Sequence, residues 1–222
     1  MSNLLANCPT LKQLLDSRTA FTPDNQPLPL TSNIPEAFAE ALYETVLKSQ
    51  PSTAIEIGMA FGISSLAILT ALRDIDHAGK LITIDPHQST HWSNCGRAAV
   101  ERAGLAERHE IIEAFDYLAL PRLLESSLKI NFAYIDGWHT FDYTLLDWWY
   151  IDKMLSVGGI VAFNDCGFPA VEKVIQFVLT HRSYSELDVC LPPTVKSGRR
   201  TEDRYFKKTA ATEPAWNFFA PF

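Results

Sequence analysis

Apolar residues follow two patterns along this chain: short continuous runs, and single residues at helical spacing. From residue 53 to residue 181, segments with one pattern alternate with segments with the other. Short apolar runs predict buried strands, and apolar residues at helical spacing between the runs predict amphipathic helices. The predicted strands are Thr53–Ile57, Lys80–Asp85, His109–Glu113, Ile130–Asp136 and Gly159–Asn164. The predicted helices are Ile63–Arg73, a segment around Trp92–Ala103, Phe115–Leu124 with an interruption near Pro121, Phe141–Leu155, and Pro169 to about His181. This alternation is typical of a parallel sheet with helices on both faces.

The N-terminal segment departs from this alternation. Leucines at helical spacing predict a helix over residues 4–18, and a linker containing Pro23, Pro27 and Pro29 follows. We interpret residues 1–34 as an arm that either packs on the domain surface or lies across a cleft as a lid. The main domain then spans residues 35–210 and opens with a helix that has Pro35 in its first turn.

The C-terminal segment also departs from the alternation of strands and helices. Leu187–Leu191 and Arg204–Lys208 are predicted strands, which we expect to pair as an antiparallel hairpin at one sheet edge, with Pro192 to Arg199 as the loop between them. The tail, residues 211–222, is rich in aromatic residues and proline. Such a tail must pack on something, and a partner subunit in a homodimer is our hypothesis.

Composition narrows the classes of partner. The chain has 222 residues, 47% of them hydrophobic, and a formal net charge of -7. Proteins that grip nucleic acid usually carry a basic face. The densest basic stretch here, Lys196–Lys208, is interrupted by Glu202 and Asp203, and we interpret it as a solvated surface hairpin. We therefore expect a small-molecule partner and no nucleic acid.

The spacing of the cysteines indicates whether a zinc site is present, and the N-terminal sequence indicates the cellular compartment. The four cysteines form no CxxC pair, so a zinc site has no support and free thiols in a reducing compartment are favoured. The N-terminus lacks the pattern of a signal peptide, and no apolar run reaches the length of a membrane span. We predict a cytoplasmic protein that does not enter membranes.

The turn between the first main strand and its helix is the most informative segment. Gly58 and Gly62 frame it, Ser64 and Ser65 open the helix, and Glu56 stands two residues before the first glycine. Glycines allow a ligand to approach the backbone closely, and the helix start offers free N–H groups. The spacing differs from the G-x-G-x-x-G of dinucleotide-binding turns. A carboxylate at Glu56 disfavours a diphosphate and favours an ammonium or sulfonium group.

Asp85 ends the second predicted strand, where an acidic side chain can accept hydrogen bonds from both ribose hydroxyls. Nicotinamide dinucleotides and S-adenosylmethionine share this requirement, so Asp85 does not distinguish between them.

These motifs resemble those of class I S-adenosylmethionine-dependent methyltransferases. Glu56-x-Gly58-x-x-x-Gly62 with Asp85 resembles their first two motifs. The stretch Tyr134–Gly167 resembles small-molecule O-methyltransferases related to the macrocin, novobiocin and catechol enzymes (methyltransferase domain family 24). The resemblance implies a Rossmann-like seven-stranded sheet of order 3-2-1-4-5-7-6, with strand seven antiparallel.

The resemblance also implies roles for individual residues in binding S-adenosyl-L-methionine. Glu56 would hold the methionine ammonium group directly or through water, with Gly58, Gly62 and Ser64 bordering the methionine part. Asp85 would bind the ribose. Asp116 is a candidate for the adenine amino group, although a helix cap explains it equally well, and Asp136 would contact the donor from the next strand. Ser32 and Asn33 reach the methionine carboxylate or cap their own helix.

The acceptor end offers two mechanisms. Asp136 and Asp165 follow neighbouring predicted strands, so both carboxylates reach the same sheet edge. In the first, they bind Mg²⁺, which would orient the acceptor hydroxyl and lower its pKa. Relatives with this chemistry have another oxygen ligand where this chain has Cys166, and Asn164 should point to the other face. In the second, no metal is used and His139 acts as general base, tuned by Asp136 or Asp165.

Aromatic side chains surround this region. Trp148 and Trp149 lie on a predicted helix and are expected in the core, whereas Trp92 and Trp138 follow strand ends and could line an acceptor pocket. His87 and His91 could face the same cleft.

The leading hypothesis is therefore methyl transfer to a hydroxyl of a small molecule, a sugar or a phenol, with or without a divalent metal. A nicotinamide-dependent oxidoreductase is one alternative. A catalytically inactive protein that binds S-adenosylmethionine is the other.

Overall fold

The fold centres on one seven-stranded sheet in a computed structural model that describes residues 3–75, 78–196 and 198–222. The strands are β1 (Thr19–Phe21), β2 (Pro27–Pro29), β3 (Thr53–Ile57), β4 (Lys80–Ile84), β5 (His109–Ile112), β6 (Ile130–Ile135), β7 (Leu155–Phe163), β8 (Tyr184–Leu187), β9 (Val195–Lys196), β10 (Arg199–Arg200) and β11 (Arg204–Lys208). The α-helices are α1 (Leu4–Asn7), α2 (Pro9–Ser17), α3 (Glu36–Ser49), α4 (Ile63–Asp74), α5 (Cys95–Arg102), α6 (Asp116–Glu125), α7 (Phe141–Met154) and α8 (Pro169–His181).

The strand order of the large sheet is β5-β4-β3-β6-β7-β11-β8, and β11 runs antiparallel to both of its neighbours. This is the order 3-2-1-4-5-7-6 expected from the resemblance, so the predicted fold is confirmed. The chain runs outward from β3 through β4 to β5 and then returns to β6, which leaves β4 and β6 on opposite sides of β3. Ligands of open α/β sheets bind at the carboxyl edge beside such a switch in strand order.

Two apolar layers cover the sheet. One face packs against α1 to α5, and its core includes Phe132 and Tyr134 of β6. The other packs against α6, α7 and α8, and its core includes Ala133 and Ile135 of the same strand. Successive side chains of a strand point to opposite faces, which explains why β6 is apolar almost throughout.

The predicted interruption at Pro121 is wrong, because α6 continues through this residue. The strand predicted at Leu187–Leu191 is also misplaced, since β8 covers Tyr184–Leu187. Asp188 Oδ1 accepts the N–H of Cys190 at 2.9 Å, and Cys190 has a φ of +61°, so the chain turns immediately after β8.

The basic stretch Lys196–Lys208 is not the solvated surface hairpin that we expected. Its second half is strand β11, in which Tyr205, Phe206 and Lys208 are buried. Within the loop before it, β9 and β10 form a short antiparallel pair. Ser197 of this stretch, like Met1 and Ser2 of the predicted arm, lies outside the described residues.

The two ends of the chain fold onto the domain. Leu4, Leu11 and Leu14 of the arm are buried in the core on the α4 side, and β1 pairs with β2 in the linker. In the tail, Phe218, Phe219 and Phe222 have ring contacts with His181 of α8, whereas Trp216 is 96% exposed. The homodimer stays a prediction. Within the described residues, no helix has the length and apolar character that crossing a bilayer requires.

Lys208 connects the antiparallel strand β11 to the end of α7 through hydrogen bonds. Its buried Nζ donates to the carbonyl oxygens of Asp152 and Leu155, at 2.6 and 3.2 Å, and lies 3.1 Å from Asp152 Oδ1. We expect Lys208→Met to lower the free energy of unfolding by about 3 kcal/mol, because these acceptors lose a buried charged donor. Chemical denaturation measures the loss. Lys207→Met, at the exposed neighbouring position, is the matched control, and equal stability of the two variants would contradict this account.

Candidate active site

The turn after β3 is held close to the end of β6. Gly58 has a φ of +85°, and its N–H donates to Ile84 O at 2.9 Å. A Cβ atom at Gly58 would lie 2.2 Å from Asp136 O, so no larger residue fits without moving the backbone. Gly62, with a φ of +86°, begins α4 and faces Gly96, whose Cα would lie 3.3 Å from an added Cβ. Glycine is required here by both conformation and space.

Asp85 braces this turn from the end of β4. Its Oδ2 accepts the N–H groups of Met59 and Ala60, each at 3.0 Å, and its Oδ1 accepts the N–H of His87 at 2.8 Å. The carboxylate is therefore part of the turn's own structure as well as part of the cavity wall. Its predicted contact with a ribose stays a prediction.

Glu56 lies behind the turn and does not line the cavity, and its expected contact with an ammonium group, directly or through water, stays a prediction. Its Oε2 accepts hydrogen bonds from Ser65 Oγ at 2.5 Å and Thr83 Oγ1 at 2.9 Å. Thr83 Oγ1 also lies 2.9 Å from His109 Nε2. Burial raises the pKa of Glu56 to about 7, although these hydroxyl donors oppose the shift. Glu56 belongs to the central strand β3, and its side chain points to the face of the sheet that α4 covers, which explains why it is buried behind the turn.

A cavity of about 1060 Å³ opens at the carboxyl edge of the sheet. The predicted residues Gly58, Ser64, Asp85, Asp116, Asp136, His139 and Asp165 line it, whereas Glu56 and Gly62 do not. Its other lining residues include Ser32, Asn33, His87, His91, Trp92 and Trp138. Among the described residues, four aspartates and no lysine or arginine line the wall. The cavity is therefore acidic.

Asp136, His139 and Asp165 converge at one end of this cavity. His139 Nε2 lies 3.2 Å from Asp165 Oδ2 and 3.7 Å from Asp136 Oδ1. One ligand atom from each of the three residues lies within 4.8 Å of the others, which is close enough to share a metal ion. Burial lowers the pKa of His139, an effect that Asp165 opposes, and burial with neighbouring carboxylates raises the pKa of Asp136 well above its ordinary value.

Asn164 lines the cavity, although strand alternation predicted that it would point to the other face, and Cys166 does not line it. Asp165 has a φ of +52°, which ends the alternation, and both Asn164 and Asp165 line the cavity. Asn164 continues the register of β7 beside Asp136, because its N–H donates to Ile135 O at 3.0 Å. Cys166 is buried in the opposite layer, where its Sγ lies 3.2 Å from Phe163 O, and it offers nothing to the cavity.

Asp203 is a neighbour of the site that the sequence did not indicate. It lies just before β11, buried, and accepts Tyr134 OH at 2.9 Å and Asn164 Nδ2 at 2.8 Å. Burial raises the pKa of Asp203 to about 7, with both hydrogen bonds opposing the shift. Sequence analysis did not single out Asp203, because it lies within the basic stretch Lys196–Lys208. A signal did exist, since an acidic residue directly before the strand predicted to join the sheet is expected near the sheet's edge.

Asp116 opens α6 on the far side of the cavity, where its Oδ1 accepts the N–H of Tyr117 at 2.7 Å. It therefore accepts a backbone N–H of the first turn of α6 as well as lining the wall, and its contact with an adenine amino group stays a prediction. Asp147 of α7 lies behind it, fully buried, and burial followed by the charge of Asp116 raises the pKa of Asp147 well above its ordinary value.

The predicted aromatic residues divide between core and surface. Trp148 is fully buried as expected, but Trp149 is 40% exposed, so the core prediction for it is wrong. Trp149 contacts Lys153, one turn further along α7, and points outward with it. Trp138 is 68% exposed at the cavity mouth, and Trp92 packs edge-on against Phe61.

Glu56 should make stability depend on pH. Its pKa in the folded protein is about 7 against an ordinary 4.5, so between these values the folded state retains a proton that the unfolded state releases. Stability should therefore fall as pH rises from 4.5 to 7, by roughly 3 kcal/mol for this group. Glu56→Gln should flatten the dependence of Tm on pH and be more stable than the wild type at pH 8.

The exposed Glu110→Gln on β5 is the control for this prediction and should keep the wild-type pH dependence. Asp203 contributes a slope of the same sign, so the curve of the Glu56 variant should flatten without becoming level. An unchanged slope in Glu56→Gln would show that this carboxyl titrates normally.

Comparison with known structures finds the same fold in methyltransferases. An O-methyltransferase from Bacillus cereus in complex with SAH matches with a TM-score of 0.71 and 16% identity, over 90% of this chain and 91% of its own. The O-methyltransferase TomG from Streptomyces achromogenes, involved in tomaymycin synthesis and solved in complex with SAM, has a TM-score of 0.67 and 16% identity, over 93% and 89%. SAH-bound PaMTH1 from Podospora anserina has a TM-score of 0.62 and 16% identity, over 80% of each chain.

Sequence comparison gives the family. Among curated proteins, none matches the chain. The sequence profile of a methyltransferase domain matches residues 55–166, which is half of the chain and includes the glycine turn, Asp85, Asp136, His139 and Asp165. The chain belongs to this methyltransferase domain family.

Proposed function

We propose that this protein transfers a methyl group from S-adenosylmethionine to a hydroxyl group of a small molecule. The observation that carries the proposal is the acidic cavity beside the glycine turn, lined by four aspartates and, among the described residues, by no lysine or arginine. Such a wall favours a sulfonium donor and disfavours the diphosphate of a nicotinamide dinucleotide. The SAH and SAM complexes of the structural neighbours support the same donor.

The donor would lie across the ends of β3 and β4. Gly58 and Ser64 would border its methionine part, with Asp85 at the ribose and Asp116 at the adenine. Glu56 would act from behind the turn, by holding the side chains of Ser64 and Ser65 at the start of α4, of which Ser64 lines the cavity. This arrangement directs the sulfonium methyl group toward Asp136 and His139.

The acceptor would lie between the donor and His139. An acceptor oxygen attacks the methyl carbon, the carbon–sulfur bond breaks, and its electron pair stays on sulfur as the thioether of S-adenosylhomocysteine. Nε2 of His139 faces Asp165, so the other ring nitrogen, Nδ1, would take the hydroxyl proton, and the lowered pKa of His139 keeps the imidazole neutral near pH 7. Asp165 at 3.2 Å would orient the ring and stabilise the imidazolium that forms.

The residues present also fit a divalent cation. Asp136 and Asp165 would hold it through carboxylate oxygens, the ligands that Mg²⁺ prefers, and His139 would remain free as base. A bound cation would lower the pKa of the acceptor hydroxyl. At the cavity mouth, Trp138 and Trp92 offer ring faces for a phenol or a sugar.

Binding of S-adenosylhomocysteine tests the donor site. Gly58→Ala should weaken it at least about tenfold, because the added Cβ meets Asp136 O and displaces the turn. Gly104→Ala is the matched control, since Gly104 has a φ of +69° but nothing within 4 Å of an added Cβ. Gly104→Ala carries the same cost of about 1 kcal/mol for an alanine with a positive φ, but its added Cβ clashes with no other atom. Calorimetry with S-adenosylhomocysteine and with NAD measures both variants and the wild type.

Binding of NAD but not S-adenosylhomocysteine by the wild type would replace the methyltransferase proposal with the oxidoreductase alternative. Equal affinities in the two glycine variants would show that the donor does not use this turn.

Turnover tests the acceptor site. On a panel of catechols, simple phenols and sugars, with labelled S-adenosylmethionine, His139→Ala should lower the rate by about 10²–10⁴ while S-adenosylhomocysteine still binds. The wild-type rate should rise with pH and level off, with a midpoint below the ordinary 6.5 of histidine. Loss of rate in EDTA, restored by Mg²⁺, would identify cation assistance. An unchanged rate in the variant would exclude His139 as the base.

A further inference from the structure

Asp147 is a buried carboxyl group that takes no part in the proposed transfer step. It lies on α7 with 0% of its surface exposed, and within the described residues no N–H or O–H group donates to either of its oxygens. Its Oδ2 lies close behind Gly137, since a Cβ atom added to that glycine would be 3.7 Å from it. Gly137 lines the cavity, so Asp147 lies directly behind the cavity wall.

A carboxyl group in such surroundings retains its proton. An isolated carboxylate is so costly to remove from water that the group is neutralised instead. Burial first, and the charge of Asp116 second, raise the pKa of Asp147 well above its ordinary value. Asp147 is therefore a neutral acid, and its O–H group is a hydrogen-bond donor that needs an acceptor.

The carboxylate of Asp116 is that acceptor. It lies within hydrogen-bonding reach of Asp147, where α6 packs against α7. The negative charge of the pair belongs to Asp116, because its Oδ1 accepts the N–H of Tyr117 at 2.7 Å, a bond that favours the ionised form. Asp116 also lines the cavity, whereas Asp147 does not. One proton shared between two carboxyl groups thus leaves one charge, on the residue that faces a ligand.

We propose that Asp147 is a positioning residue that donates its proton to Asp116 and so fixes the Asp116 carboxylate as the acceptor for an amino group of the ligand. Because Tyr117 N–H and Asp147 both donate to it, the carboxylate is held in one orientation, and its remaining lone pairs are available to the cavity. The proposal rests on the proposed function for the identity of that ligand, whose amino group is that of adenine in S-adenosylmethionine.

Two ligands separate this role from a general effect on the cavity. They are S-adenosylhomocysteine and its purine analogue without the exocyclic amino group. The wild type should bind S-adenosylhomocysteine about 10- to 100-fold more tightly than the analogue, because only the former donates to the charged acceptor. Asp116→Ala should abolish this preference, because it removes the acceptor. Calorimetry measures both affinities for each protein.

Asp147→Leu is close to the wild type in size but has no donor. It should lower the affinity for S-adenosylhomocysteine about tenfold and leave that for the analogue within about threefold. Asp147→Asn keeps a donor in its NH₂ group and should bind both ligands within about threefold of the wild type. Added to Asp116→Ala, the leucine substitution should have no further effect, because the two residues act on the ligand as one unit.

Infrared spectroscopy detects the proton of Asp147 without any ligand. The C=O stretch of a protonated carboxyl group is distinct from the bands of a carboxylate. The difference spectrum between the wild type and Asp147→Asn at neutral pH should therefore contain one band of a protonated carboxyl group. Asp142→Asn, at an exposed position of the same helix, is the matched control and should give no such band.

The expected result is loss of the preference for the amino group in Asp147→Leu, its retention in Asp147→Asn, and the infrared band. Equal loss of affinity for both ligands would indicate a merely structural role and overturn the proposal. Loss of the preference in Asp147→Asn, or absence of the band, would overturn it as well. Each of these outcomes leaves the methyltransferase proposal standing, since S-adenosylhomocysteine still binds. A wild type that binds neither ligand would instead remove the methyltransferase proposal, and the role of Asp147 toward adenine with it.

Discussion

Mutual repulsion among carboxylates at one edge of the sheet is the constraint around which the cavity is organised. Asp85, Asp116, Asp136 and Asp165 line the cavity, and the described residues of its wall supply no lysine or arginine to balance them. Each carboxylate is tolerated through a local arrangement. Asp85 is bound by backbone N–H groups, and Asp136 has a raised pKa. An arrangement of this kind is stabilised by a positively charged ligand, because the ligand relieves repulsion that the folded chain otherwise retains.

The cavity has two sides along the carboxyl edge of the sheet. Backbone groups of the glycine turn and the helix start form one side, the one proposed for the donor, where shape and free N–H groups matter more than side chains. Side chains at the ends of β6 and β7 form the other side, the one proposed for the acceptor. A second row of buried polar groups, Glu56 behind the turn and Asp203 behind Asn164, supports each side from within the core. Changes in that row should therefore alter the site without touching a ligand.

Much of the fold was predictable because its signals are local. Thr53–Ile57 and Arg204–Lys208 were predicted with the observed boundaries, since short apolar or alternating runs bounded by turns have few alternatives. The strand order came from the resemblance, not from periodicity. The site was predictable where residues follow parallel strands, as Asp136 and Asp165 do. Asn164 and Asp203 were misjudged or missed because their roles depend on side-chain direction and on a strand inserted from far along the chain. Sequence spacing does not encode either.

The insertion of β11 between β7 and β8 has a consequence for how the molecule is made. During synthesis β7 emerges first and β8 next, so β7 waits with one edge unpaired until residues 204–208 leave the ribosome. Unpaired edges of nascent chains are prone to intermolecular association. The strand that closes this edge also brings Asp203 behind Asn164. Completion of the cavity wall and protection of the nascent sheet from aggregation thus depend on the same late strand.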